Sequence, residues 1–238
     1  MLGLFSDISN VVKILAVMIG AYLLGSIDVA ILVTKIFTGK DIRTMGSGNA
    51  GFTNVMRSVG KLAGALTFIG DFLKCAIAVV LGGIVFSTMT SDTANAAEIA
   101  GYGKYLAGMC CFLGHIFPIY FKFKGGKGIV TMAALAAVIN IYVFLISIAT
   151  FIVTFLITKI VSISSILGSC MLVISTFLVT YFYNYKHLGA VSFEYVITVS
   201  ILTLAISATT IIKHKDNIKR LLKGEEKKLT LKKSKSTN

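Results

Sequence analysis

Apolar residues run along this chain in long blocks, not in stripes. Positions of about 11–37, 61–86, 103–121, 129–158, 164–183 and 193–212 form six such blocks. A surface helix interrupts its apolar face with polar residues every few positions, whereas a helix crossing lipid needs about 20 apolar residues in succession. Lipid offers the backbone no hydrogen-bonding partners, so such blocks are expected to be helices. The fourth block covers 30 residues, 129–158, long enough for one steeply tilted helix or for two short ones breaking near Asn140.

Charge decides between these. Lys40, Arg43 and Arg57 lie between the first two blocks, Lys122, Lys124 and Lys127 between the third and fourth, and ten basic residues follow Ile212. The 87–102 connection carries Asp92 and Glu98 and no Lys or Arg. Short loops rich in Lys and Arg stay in the cytoplasm, so an even number of crossings must separate the 122–128 loop from the tail. Splitting the fourth block meets that condition. The prediction is an all-α integral membrane protein with seven transmembrane helices and its amino terminus outside. A membrane domain, 1–212, would hold cytoplasmic loops at 38–60 and 122–128, followed by a basic amphipathic tail, 213–238.

Composition agrees. The chain is 56% hydrophobic and 14% charged, against about 25% charged residues in soluble domains. Its net charge of +13 does not point to nucleic acid, because 10 of its 23 basic residues lie in the last 26 positions, after the last apolar block. That placement suits an anionic membrane surface. Cys75, Cys110, Cys111 and Cys170 sit inside apolar blocks without metal-ligand spacing, and read as small packing residues.

The loops carry the candidate chemistry. The first reads Gly46-Ser47-Gly48-Asn49-Ala50-Gly51-Phe52-Thr53-Asn54-Val55-Met56-Arg57. Its glycines permit tight turns that converge amide N–H groups on an anion. Ser47, Asn49, Thr53 and Asn54 add neutral donors, and Arg43 and Arg57 can grip phosphate in a fork. The second loop, Lys124-Gly125-Gly126-Lys127-Gly128, opens onto a helix bearing Thr131, combining a point charge with a helix amino terminus. A third segment, Lys213 to Glu225, carries Ile218, Leu221 and Leu222 on one stripe and brings His214 and Asn217 to one face. Ser162, Ser164 and Ser165 supply hydroxyls at the same side. Asp71 and Lys74 share a helix face and read as a buried pair; His115 reads as structural support.

Together these segments resemble the PlsY family of bacterial acyl-phosphate–glycerol-3-phosphate acyltransferases, from Gly25-Ser26 through Asp41-Ile42-Arg43, the 46–57 loop, Gly70-Asp71, Gly114-His115 to Gly128, and Lys213 to Glu225. The resemblance implies the same seven-helix architecture in a bacterial plasma membrane with the site at the cytoplasmic face. It implies catalytic roles for Ser47, Arg57, Lys127, His214, Asn217 and a hydroxyl assigned to Ser162. Substrate contacts would come from Arg43, Gly46, Gly48, Asn49, Gly51, Thr53, Asn54, Gly125, Gly126, Gly128 and Thr131. The expected reaction moves a fatty acyl group from acyl phosphate to the 1-hydroxyl of glycerol 3-phosphate, with an acyl-phosphate-forming enzyme as upstream partner. No metal or other cofactor is implied, since no carboxylate cluster lies in these loops. No His-x4-Asp pattern occurs, because Tyr120, Ser192 and Lys219 follow the three histidines at that spacing. The alternatives are a permease for a phosphorylated solute, expected to show an internal repeat and a midplane site, and a lipid-binding scaffold, which leaves the glycine loops unexplained.

Overall fold

The computed structural model describes residues 7–229. The tail beyond Leu229, including Lys232, Lys233 and Lys235, lies outside the described residues. Ten α-helices and no strands occur among them: α1 (Ile8–Gly25), α2 (Val29–Thr38), α3 (Phe52–Ser58), α4 (Lys61–Ser87), α5 (Thr93–Ile116), α6 (Ile129–Ile139), α7 (Ile141–Thr158), α8 (Val161–Leu178), α9 (Phe193–Lys213) and α10 (Lys215–Leu222). Taking α1–α2 as one unit, six segments among the described residues are long and apolar enough to cross a membrane, and α6 is a shorter apolar helix.

Each break has a polar cause. The 129–158 block divides at Asn140, whose side chain accepts from the amides of Tyr142 and Val143 and so starts α7. The first apolar block is not one helix either. Asp28 accepts from Ile31 N at 3.1 Å and begins α2, while the Ser26 hydroxyl bonds back to Tyr22 O. α8 runs on into a π-helical stretch, Val179–His187.

The core is α4 and α5 with α1 and α6 against them. Small residues let these backbones touch. A Cβ on Gly25 would overlap Cys111 O, and one on Gly114 would overlap Tyr22 O, so α1 and α5 meet where neither helix carries a side chain. Close approach through small residues is how helices gain packing energy in lipid, where burial of apolar surface drives little. α7 is the opposite case: only Val143 is buried, and Ile152, Val153, Leu156 and Ile157 face outward.

Candidate active site

Three separate segments converge beside α8. Lys127, in the loop before α6, donates to Asn217 Oδ1. The Asn217 amide nitrogen donates to Glu226 Oε1 at 2.6 Å, and Ser162 Oγ donates to the same oxygen at 2.8 Å. Arg220 Nε completes the Glu226 carboxylate at 2.6 Å. Leu229 N donates to Lys159 O, which lays the chain after α10 across the α7–α8 corner and brings Glu226 there. Of the two candidate hydroxyls, Ser162 faces this cluster; Ser165 Oγ bonds back to Val161 O within its own helix.

Burial tunes these groups. It lowers the Lys127 pKa to about 8, the Glu226 charge opposing the shift and Arg220 adding to it. Burial also acts to raise the Glu226 carboxyl, but the bonds from Arg220, Asn217 and Ser162 outweigh it and hold the group below its usual range. His214, at the joint between α9 and α10, is buried beside Lys127, and both effects lower its pKa to about 4. Its Nδ1 lies 2.8 Å from Thr210 O. A carbonyl can only accept, so the proton sits on Nδ1 and Nε2 keeps a free lone pair.

The first loop is organised by Asn54, which is buried at the start of α3. Its Oδ1 accepts from Ser47 N at 3.0 Å, and its Nδ2 lies within bonding reach of the carbonyls of Ile42, Met45 and Asn49. Gly46 and Gly48 have φ of 58° and 71°, and a Cβ on Gly46 would overlap the Asn54 amide oxygen. Asn54 therefore shapes the loop from beneath. Arg43 is equally committed: Nε and Nη2 pair with Asp41, and Nη1 donates to Phe121 O at 2.9 Å and Lys124 O at 3.3 Å. It ties the first glycine loop to the second. Ser47 and Arg57 are exposed, with no ion pair and no side-chain hydrogen bond to the protein among the described residues.

The second loop folds back onto α5. Lys122 and Phe123 are both left-handed, and the reversed chain lets Gly125 N and Gly126 N donate to Ile116 O and His115 O. Gly126 also sits against Ala50 O of the first loop. Gly128 caps α6 at φ 82°, and the Thr131 hydroxyl bonds back to Gly128 O at 2.9 Å, inside the fold. Lys213 Nζ lies 5.0 Å above the Phe117 ring, joining the third segment to the end of α5. Ser47, Gly51, Thr53 and Arg57 share no hydrogen bond or ion pair with the Lys127–Asn217–Glu226 cluster, so the two groups meet through Arg43 and the Gly126–Ala50 contact.

An apolar groove runs between α6, α7 and α8, with Ser165 in its wall. Ile129, Met132, Phe144, Phe151 and Leu172 line it, with Gly168 at its back. Sequence reasoning did not find Glu226. The signal available was Glu225-Glu226, two acids interrupting a basic tail.

A helical membrane protein with basic glycine loops and a half-buried lysine–amide–carboxylate cluster is a candidate for handling phosphorylated, lipid-linked substrates. The comparisons with known proteins narrow this. The glycerol-3-phosphate acyltransferase family model matches residues 15–224. A glycerol-3-phosphate acyltransferase of Clostridioides difficile is 39% identical over 213 residues, covering 90% of this chain and 94% of that one. Another from Pelagibacter ubique is 37% identical over 216 residues, covering 90% and 96%. The crystal structure of PlsY, an integral membrane glycerol 3-phosphate acyltransferase, in its glycerol 3-phosphate form superposes with a TM-score of 0.74 at 32% identity, covering 91% of this chain and 96% of that one. Its lysophosphatidic acid form gives 0.72 at 31% identity, covering 91% and 95%. The chain belongs to the glycerol-3-phosphate acyltransferase family.

Proposed function

We propose that this chain transfers a fatty acyl group from acyl phosphate to the 1-hydroxyl of glycerol 3-phosphate, releasing lysophosphatidic acid and inorganic phosphate. The observation that carries the reading is the joining of Lys127, Asn217, Ser162 and Glu226 in one cluster, with His214 beside Lys127 and an apolar groove lined by Ile129 and Ser165 on the neighbouring helices. Charged head groups would meet the cluster while the acyl chain lies in the groove.

The distribution of charge supports the topology, with α6 as a short seventh crossing beside six long spans. Seven crossings with the amino terminus outside put the 38–60 loop, the 122–128 loop and the tail on the cytoplasmic face of the plasma membrane. α6 has 11 residues, about 16 Å at the usual rise, roughly half the hydrocarbon thickness. The Gly125–Gly128 turn would therefore reach into the bilayer, bringing Lys127 to the depth of the carboxyl end of an acyl chain.

Lys127 and Arg57 hold the substrate phosphates, with Ser47 and the amides of Gly48, Asn49 and Gly51 supplying further donors. Arg43 and Asn54 act beneath them by shaping the loops. The hydroxyl oxygen attacks the acyl carbon, the carbon–oxygen bond to phosphate breaks, and the hydroxyl proton passes to a substrate phosphate. His214 is a poor rival for that proton. Its pKa of about 4 falls below the second phosphate ionisation near 6, a difference on the order of 2.7 kcal/mol at 1.36 kcal/mol per unit. The free Nε2 instead accepts from the attacking hydroxyl and orients it. The acyl phosphate is already activated, so placing reactants and stabilising charge are the main tasks left to the protein.

Incubating the purified protein in detergent with acyl phosphate and labelled glycerol 3-phosphate tests the proposal. Labelled lysophosphatidic acid is expected, its formation lost in Lys127→Ala. Product absent from the unmodified protein would remove the reading.

A further inference from the structure

A charged cluster lies buried in the bundle outside the site just described, and one end of it touches that site. On α4, Asp71 and Lys74 form an ion pair at 2.8 Å, both almost wholly enclosed. Lys74 Nζ also donates to Ile27 O at 2.7 Å, at the break between α1 and α2, and stands 3.1 Å from His115 Nδ1 on α5. An ammonium has no lone pair, so the ring nitrogen that faces it must provide one. Asp71 Oδ1 is the competing neighbour of the same nitrogen, but it is farther away at 3.4 Å. The closer contact places the His115 proton on Nε2.

That Nε2 edge rests on Gly126. A Cβ there would overlap Nε2 and also Ala50 O, so ring, second loop and first loop meet at one point. The backbone of His115 holds the same residue, since Gly126 N donates to His115 O at 3.1 Å. Lys127 is the next residue along the chain.

We infer that His115 is a positioning residue for Lys127: Lys74, paired with Asp71, fixes its tautomer, and its Nε2–H sets where the Gly125–Gly128 turn lies against the first loop. The inference rests on Lys127 being a phosphate contact. It gives a function to an intramembrane charge cluster that touches no substrate, and buried charges kept in lipid at high cost are usually functional. His115 acts only through the loop, so its loss should weaken phosphate binding while leaving the chemical step largely intact.

Glutamine and asparagine separate the two ring nitrogens. The His115→Gln amide reaches the Nε2 position, whereas the His115→Asn amide reaches only Nδ1. His115→Asn and Lys74→Met are each expected to raise KM for a phosphate-bearing substrate by about 10- to 100-fold, the scale of weakening one hydrogen bond to a charged group, with a much smaller change in kcat. His115→Gln should recover most of that loss. Equal behaviour of the Asn and Gln variants, or losses falling on kcat, would overturn the inference. Nitrogen NMR of the detergent-solubilised unmodified protein needs no variant to fold, and the chain has three histidines. His115 should appear with its proton on Nε2 and His214 with its proton on Nδ1; a His115 proton on Nδ1 would refute the assignment. Lys127→Ala run in parallel keeps the readings apart. An active Lys127→Ala enzyme removes the site itself, whereas an inactive one beside unaffected His115 variants removes only the positioning role.

Discussion

Asn217 stands between opposite charges, donating its amide to Glu226 at 2.6 Å while its carbonyl oxygen accepts from Lys127. Glu226 thereby fixes which way the amide points, and the amide fixes the ammonium. Two results should follow. Asn217→Ala should lower kcat/KM by about 100-fold, or roughly 2.7 kcal/mol. The basic limb of the kcat/KM profile should lie near pH 8, because Lys127 binds phosphate only while protonated and its pKa is lowered to about 8. The Glu226 charge raises that pKa, so Glu226→Gln should move the limb to lower pH. A limb that stays in place or moves upward would detach Glu226 from Lys127.

His214 is predicted to orient substrate, not to take the proton. Its pKa of about 4 leaves it neutral through the working range, so the acidic limb near pH 6 belongs to substrate phosphate. That limb should persist in His214→Gln, together with measurable activity. Its selective disappearance in His214 variants, with substrate binding unchanged, would give the proton to the protein.

The two arginines of the first loop should separate. Arg57 has no ion-pair partner among the described residues, and Arg57→Ala should nearly abolish turnover with the protein still folded. Arg57→Lys should rescue poorly, since an ammonium cannot form the fork. Arg43 spends its guanidinium on Asp41 and on the carbonyls of Phe121 and Lys124, and Asp41 is held below the usual carboxylate range chiefly by that bond. Arg43→Ala should therefore act through the loops, raising KM and lowering thermal stability in detergent. Identical kinetic signatures for the two alanine variants would contradict this division.

Much of this architecture could be read from residue order, and the reasons for the exceptions are physical. The break at Asn140 was signalled by a block long enough for two helices together with basic loops that required an even number of crossings. The pairing of Asp71 with Lys74 was signalled by their spacing of three. The α1–α2 break was hidden, because hydropathy continues through Ser26 to Asp28 while the hydrogen bonds of the backbone do not. Arg43 and Asn54 read as phosphate ligands from their side-chain chemistry, and the folded loop also gives Arg43 carboxylate and backbone partners and Asn54 backbone partners that residue order does not show. Glu226 was obscured by the basic residues around it, and its contact with Ser162 depends on where the tail crosses the α7–α8 corner. The π-helical stretch at Val179–His187 has no signature in the apolar pattern.

Topology can be tested without activity. A cysteine replacing Ser91 should react with a membrane-impermeant reagent in intact cells, and one replacing Gly48 should be protected until the membrane is opened. Equal labelling of both from outside would overturn the seven-crossing arrangement.

The central claim is that the acyl donor is recognised by its phosphate, and donor preference measures it most directly. Purified protein should convert glycerol 3-phosphate with palmitoyl phosphate, releasing one inorganic phosphate for each lysophosphatidic acid formed, and should show no turnover with palmitoyl-CoA. Comparable kcat/KM for the two donors would contradict the account, because a thioester would then bind without the phosphate contact assigned to this site.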